Sequence, residues 1–237
     1  MKNFVTLSAA AAGAIALILL ALFWVGMPLV NLALFDERRD QPYLLLEFAR
    51  GAPAEVLQAR YAAPLARLVA SEGGVQIGRY RLSHLLDGTR DDEWPHFSQF
   101  HMARAQDVAQ VVTSSPYRAF AAFTDGVTQV RIGGYAEKPP NWRGAFAIWL
   151  VEDLQNSEQD PLDNMRKLVQ AGKGQVVWDR SIEALSVSQA WQRMFVVAFE
   201  NEKAANAWLS QSEVSTARKI ARAQARRMSL ALYIREA

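Results

Sequence analysis

The sequence predicts an α+β fold: two tandem copies of a β-α-β-β-α-β unit, preceded by one transmembrane helix. Three observations predict it. A shift of 97 positions lays Trp191–Ser212 without a gap on Trp94–Ser115, so that Trp94 answers Trp191, Met102 answers Phe199 and Ser115 answers Ser212. Around that stretch, short β-like runs alternate with helical stripes in the same order in both halves. Ahead of both lies an uncharged run from Phe4 to Phe35.

Composition sets the bounds. At 237 residues, 51% apolar and 21% charged, the chain has ample material for a buried core and is not a disordered sequence. A formal charge of +2 leaves no nucleic-acid footprint. There is no cysteine, which excludes disulfides, thiolate zinc sites, iron–sulfur clusters and a cysteine nucleophile together.

Residues 1–35 form the expected anchor. Phe4 to about Val25, FVTLSAAAAGAIALILLALFWV, is long enough to cross a hydrocarbon layer of roughly 30 Å as a helix. Gly26 and Pro28 end it, and Trp24 falls where an amphipathic ring suits the boundary. The apolar core exceeds a signal-peptide h-region and no small-x-small site follows it, so an anchor is expected rather than a cleaved signal. Lys2 and the amino terminus put the N-terminus in the cytoplasm and the folded part beyond an inner (plasma) membrane, with Arg38 and Arg39 as the opposing signal. The lipid bilayer is thus the expected partner of residues 4–25.

After a polar tether, 36–42, the first unit spans 43–137. Tyr43 to Ala49 is a brief apolar run, too short for a helix and closed by Gly51 and Pro53. Val56, Leu57, Tyr61, Leu65, Leu68 and Val69 recur at three- and four-residue steps and predict a helix. Pro64 should kink it, and Gly73-Gly74 should end it. Val75–Leu82, Pro95–Met102 and Val127–Tyr135 read as strands, with helical pieces around Gln106–Val112 and Pro116–Phe123. Lys138-Pro139-Pro140-Asn141 opens a linker, 138–144. The second unit, 145–237, repeats the order. Its strands are Phe146–Val151, Val176–Ile182, Arg193–Phe199 and Met228–Ile234. A helix marked by Leu162, Met165, Leu168 and Val169 follows the first strand, and helical pieces at Lys203–Leu209 and Val214–Arg226 precede the last. Each unit is a ferredoxin-like pattern. The strand Arg193–Phe199 is apolar on both faces, so one face can cover its own helices while the other needs a partner sheet.

On these residues each half resembles the dimeric α+β barrel superfamily, and within it a family of small bacterial domains of unknown function. That pattern has a Tyr and a Pro in the first helix, Gly-Gly, a Trp-Pro opening the third strand, and Ser-Pro-Glu-Tyr opening the last helix. Tyr61 and Pro64, Gly73 and Gly74, Trp94 and Pro95, and Ser115, Pro116 and Tyr117 match it. The second half keeps Gly172, Trp191, Ser212 and Glu213 and loses both prolines and the tyrosine. In the superfamily two protomers pair sheet against sheet. The resemblance implies that the two halves of this chain do so for each other, as an intrachain pseudo-dimeric α+β barrel.

The two halves differ where chemistry would sit. His96 faces Arg193, Ser98 faces Phe195, Gln99 faces Val196 and His101 faces Ala198 under the same shift. Glu47 is a further polar intrusion, set against Leu150. The functional reading is a first-half pocket between sheet and helices, with His96, His101 and Glu47 as proton-transfer candidates and Arg79, Ser98, Gln99 and Trp94 as ligand contacts. The structural reading is that this strand is simply more exposed than its copy. His96 and His101, five apart, fall on opposite faces of a strand, and the register of His84 is open. No metal site, cofactor motif, phosphate loop or Ser-His-Asp signature is read. Arg218, Arg222 and Arg226 read as a solvated helix face, and Trp94, Trp149, Trp178, Trp191 and Trp208 as core.

Two functions of different class remain. One is a membrane-anchored binding or interaction module for a small molecule or protein. The other is a monooxygenase- or isomerase-like enzyme for a small apolar or aromatic substrate. The superfamily includes such activities; a haem-handling domain would need an axial His in a pocket. A closed pocket around His96 or His101 favours the enzyme, and a packed interior favours binding.

Overall fold

The computed structural model describes residues 38, 40–51, 53–117, 128–138, 142–154, 160, 162–172, 174–185 and 191–236. The expected anchor, the far part of the helical piece at Pro116–Phe123 and linker residues 139–141 lie outside the described residues. No helix among the described residues is long and apolar enough to cross a membrane.

Among the described residues there are nine strands: β1 (Tyr43–Arg50), β2 (Val75–Asp87), β3 (His96–Met102), β4 (Thr128–Tyr135), β5 (Ala145–Leu154), β6 (Gln175–Ser181), β7 (Glu183–Ala184), β8 (Arg193–Phe199) and β9 (Ala225–Arg235). They form one sheet in the order β6-β8-β5-β9-β2-β3-β1-β4-β7, and every pairing is antiparallel. The order β6-β8-β5-β9 matches β2-β3-β1-β4 strand for strand. The two groups meet along β9–β2. At the far edge β7 touches β4 through only Ile132↔Ala184 and Gly133↔Glu183, so the barrel-like sheet is nearly closed. β2 runs to Asp87, five residues past the expected Leu82, because its far half pairs with β9 through His84↔Leu232, Leu85↔Ala231 and Asp87↔Leu230.

The helix after β1 is built in pieces: α1 (Ala54–Leu57), a π-helical turn (Gln58–Ala62) and α2 (Ala63–Ser71). Pro64, in the first turn of α2, has no N–H to give, so the chain widens ahead of it and Ala63 N–H reaches back five residues to Gln58 C=O. Gly73, at φ 77°, ends α2, with its N–H on Ala70 C=O and that of Gly74 on Val69 C=O. Among the described residues the other long helices are α3 (Ala105–Thr113), α4 (Asp163–Ala171), α5 (Glu202–Leu209) and α6 (Ser212–Gln224), and Arg90–Asp92 forms a 3₁₀ turn after β2.

Period-two alternation sends each strand's side chains to two cores. Leu44, Leu46, Phe48 and Phe97 fill the barrel interior with Phe146, Ile148, Leu150, Met194, Val196 and Tyr233, joined by Trp94, Trp142, Trp178 and Trp191. Among the described residues no helical one enters this cluster. On the opposite faces, Tyr43, Leu45 and Ala49 lie under Leu57, Tyr61, Leu65 and Val69. Trp149, Phe195, Val197 and Leu230 lie under Met165, Val169, Trp208 and Val214. The five tryptophans read as core are all buried. The arginine stripe is not simply solvated. Arg218 crosses to Asp87 at 2.8 Å and Arg222 donates to Met228 C=O, while Arg226 stays exposed. With Arg227 on the buried Asp92 at 2.5 Å, these arginines clasp the last helix and strand to the end of β2 and the turn after it.

Gly144 opens β5 at φ +87°, and a Cβ there would stand 2.2 Å from Phe199 C=O. Replacing it with alanine should therefore cost about 1–3 kcal/mol or more. A thermal melt of Gly144→Ala is expected several degrees below wild type; an unchanged midpoint would contradict this packing.

Candidate functional site

The register sets four polar residues in one row across adjacent strands. Arg79 on β2 stands opposite Ser98 on β3, Ser98 opposite Glu47 on β1, and Glu47 opposite Arg131 on β4. Cross-strand partners share a face, and this is the face that Tyr61 and the helices cover. The corresponding row in the C-terminal half is Asp179, Phe195, Trp149 and Leu230. Glu47 thus corresponds to Trp149. The expected counterpart, Leu150, points into the barrel interior; a one-residue slip in register exchanges the faces.

At one end of the row Glu47 is 1% exposed and Arg131 7%. Arg131 Nε donates to Glu47 Oε1 at 2.9 Å and lies equally close to Oε2, while the Tyr61 hydroxyl also donates to Oε1. Tyr117 lies beneath the guanidinium, 4.8 Å from ring centre to Cζ. Burial pushes the Glu47 carboxyl up, and Arg131 and then Tyr61 oppose it. Burial alone would lower Arg131, but Glu47 more than restores it. The π-helical turn is what turns Tyr61 down onto Glu47.

The middle of the row is a second cluster. His96, 1% exposed, sits with Nε2 3.1 Å from Ser98 Oγ, which also receives Gln76 Nε2 at 3.3 Å. His96 Nδ1 is buried without a hydrogen-bond partner and lies 4.0 Å from Glu236 Oε2. Burial first, and the Arg79 guanidinium second, hold His96 down to about 4, so the ring is neutral at pH 7.

The expected pocket residues therefore separate. Glu47, Arg79, Ser98 and His96 share the helix-covered side. Gln99 and His101 face the other way: Tyr80 donates to Gln99 Oε1 at 2.7 Å inside the barrel, and His101 Nε2 is buried without a partner. Trp94 belongs to the interior, with Arg50 over its ring at 4.8 Å. His84 pairs with Leu232 of β9, beyond the last β2–β3 pair at Arg81↔His96, so the two histidines do not meet across that ladder. Sequence reasoning missed Arg131, Gln76 and Glu236 and took Tyr61 as a helix marker and a residue of the family pattern, not as a partner of Glu47. The signal for Arg131 was a charge within the strand TQVRIGGY; nothing local marks Glu236. Among the described residues no three His, Asp or Glu side chains gather as a metal-ligand set. A separate cleft of about 480 Å³ opens at the weak seam, between Ala136–Lys138 and Val176–Arg180. Two of its charges are already engaged, Asp179 with Arg166 and Arg193, and Arg180 with Tyr135 C=O.

No protein-family model and no curated protein matches the sequence. Among solved structures, an anthrone oxidase-like protein is similar at TM-score 0.54 and 13% identity, over 84% of this chain and 92% of its own. The likeness is one of fold: an antiparallel, nearly closed barrel-like sheet with helices on its outer face. A chlorite dismutase variant from Candidatus Nitrospira defluvii is also similar, at TM-score 0.45 and 13% identity, over 83% of this chain and 92% of its own. A protein of unknown function from Rhodopseudomonas palustris covers 46% of this chain with 93% of its length, at TM-score 0.38 and 17% identity.

Two measurements follow from this geometry. Removing Glu47 alone leaves Arg131 buried and unpaired, so Glu47→Leu should cost roughly 3–5 kcal/mol. Glu47→Leu with Arg131→Leu should recover most of that in chemical denaturation, since Trp149 and Leu230 fill the same places in the other half; a double variant as unstable as the single would contradict the pairing. For His96, between pH 6.5 and about 4 the unfolded chain binds a proton that the folded chain refuses. Its contribution to stability is full above 6.5 and falls with pH, by roughly 3 kcal/mol on reaching 4. His96→Gln should flatten the stability slope in that window; an unchanged slope would show that His96 titrates normally.

Proposed function

We propose that this chain is a membrane-anchored enzyme of proton-transfer type, built as two tandem ferredoxin-like units that pair within one chain, with its site on the helix-covered face of β1, β2 and β3. One observation carries the reading. In the same register, one half spends buried polar groups where the other uses Trp149 and Phe195. Buried polar groups cost free energy, so a fold that can do without them keeps them for another purpose. His96 is a neutral ring able to accept a proton, with Ser98 on one nitrogen and a carboxylate near the other. The name of the anthrone oxidase-like neighbour supports a substrate class: a fused aromatic ketone with an acidic C–H. Proton transfer from that carbon to His96 leaves an enolate. The enolate either takes a proton back at another position, which is isomerisation, or its carbon bonds dioxygen to give a peroxide that takes the proton back from His96 and then loses water to leave a new carbonyl, which is oxygenation.

A second reading, a binding module without turnover, is favoured by the filled barrel interior. On either reading we propose that Phe4 to Val25 spans the bilayer with the folded part on the non-cytoplasmic side, which the uncharged run from Phe4 to Phe35 supports. A C-terminal alkaline phosphatase fusion should then be active; an inactive fusion beside an active cytoplasmic reporter would reverse the orientation.

The full chain in detergent should accelerate oxygen uptake by anthrone above the buffer rate, and His96→Gln should reduce that acceleration by about 10²-fold or more. Retention of anthrone without acceleration would establish the binding reading instead. Acceleration that survives His96→Gln would remove His96 from the chemistry.

A further inference from the structure

We propose that Glu236, delivered by the last strand of the C-terminal half, fixes the tautomer of His96 so that Nδ1 carries the proton and Nε2 presents its lone pair to Ser98. The proposal rests on the proton-transfer reading for its purpose, but its evidence is independent of any substrate. The tail after β9 is pinned to the backbone. Glu236 N–H donates to Arg79 C=O at 2.9 Å, Arg235 Nη1 donates to Trp142 C=O at 2.8 Å, and Arg235 Nη2 donates to Ile77 C=O at 3.1 Å. That anchoring holds Glu236 Oε2 4.0 Å from His96 Nδ1, an atom that is buried and has no hydrogen-bond partner. Four ångströms is too long for a hydrogen bond but close for a charge, and a Glu236 side chain 22% exposed is free to make the short approach. A carboxylate on that side favours an N–H at Nδ1. The tautomer then turns the contact with Ser98 into O–H donating to Nε2, and a carboxylate–imidazole–hydroxyl series runs from the tail of one half into the row of the other.

Each neighbouring element presents its own groups to His96. β2 supplies Arg79 and the exposed Arg81, the latter directly opposite His96. β1 supplies Ala49 opposite His96, with Glu47 two residues along and engaged by Arg131 and Tyr61. Of these, Glu236 is the carboxylate within 4.0 Å. The other seam supplies a contrast. There Glu137 holds the place that corresponds to Glu236, and it lines the open cleft. Arg193 stands where His96 does, and it pairs with Asp160 and Asp179. Among the described residues it is the zipped seam, β9 on β2, that brings a tail carboxylate to an imidazole. The geometry thus makes the site dependent on both halves.

The test reads protonation directly. The full chain, ¹⁵N-labelled at its three histidines, is recorded at pH 7 by long-range ¹H–¹⁵N correlation, as wild type and as Glu236→Ala. Wild type is expected to show His96 protonated at Nδ1, and Glu236→Ala to move the tautomer ratio toward Nε2–H by about tenfold or more, the equivalent of a hydrogen bond to a charged group. Glu236→Asp should restore part of the wild-type ratio. The His84 and His101 signals should stay fixed, which separates this effect from misfolding. Protonation at Nε2 in wild type, or a ratio identical in wild type and Glu236→Ala, would overturn the proposal. Because no substrate is present, failure of the anthrone experiment leaves this result standing, and the reverse holds equally.

Discussion

Everything in this molecule depends on two four-strand groups hiding their inner faces against each other. Phe97 stacks on Tyr80 at 4.3 Å and meets Tyr233 edge-on at 4.8 Å, while Tyr80 meets Phe146 edge-on at 5.4 Å. The first two rings come from β3 and β2, the others from β9 and β5. Each such aromatic contact is worth about 0.5–1.5 kcal/mol beyond the area it removes from water. The interior is therefore common property: neither group of strands has a core of its own on that side. The arginine clasps onto Asp87 and Asp92 add direction to this shared core, because they join specific positions where apolar contact alone would tolerate sliding.

With the interior committed to packing, the outer, helix-covered faces are left to vary. There the halves diverge. The C-terminal half closes its face with Trp149, Phe195 and Trp208, whereas the N-terminal half places Glu47, Ser98, His96 and Arg131 in the same layer. The divergence costs stability, since a buried ion pair gains less than well-packed hydrophobes in its place. Tyr61 shows how far the local chain bends to serve this layer. The proline that removes one N–H from the helix also opens the turn from which Tyr61 reaches Glu47.

Much of this was legible in the sequence. The ungapped stretch from Trp94 to Ser115 reproduces β3 and α3, and its copy from Trp191 to Ser212 reproduces β8 and α5, because a conserved spacing between strand and helix constrains both. His96 and His101 were separable by parity alone. Matching Glu47 to Leu150 failed because β1 and β5 lie outside that stretch, and an error of one residue there exchanges the two faces. The far half of β2, LSHLLD, lacks a clean alternation: bulges at Leu82/His84 and Leu85/Asp87 break the period of two. The partners Arg131 and Glu236 lie 84 and 140 residues from Glu47 and His96, and the pairing of β1 with β4 and of β2 with β9 brings them near.

The shared interior is tested most directly by dividing the chain. Residues 38–137 and 142–237, expressed separately and examined by size-exclusion light scattering and amide dispersion, should each be unfolded or self-associated, each replacing the missing sheet with a copy of itself. Mixing them should restore a one-to-one complex. A well-folded monomer of either piece would show that its inner face needs no partner, and would contradict the account.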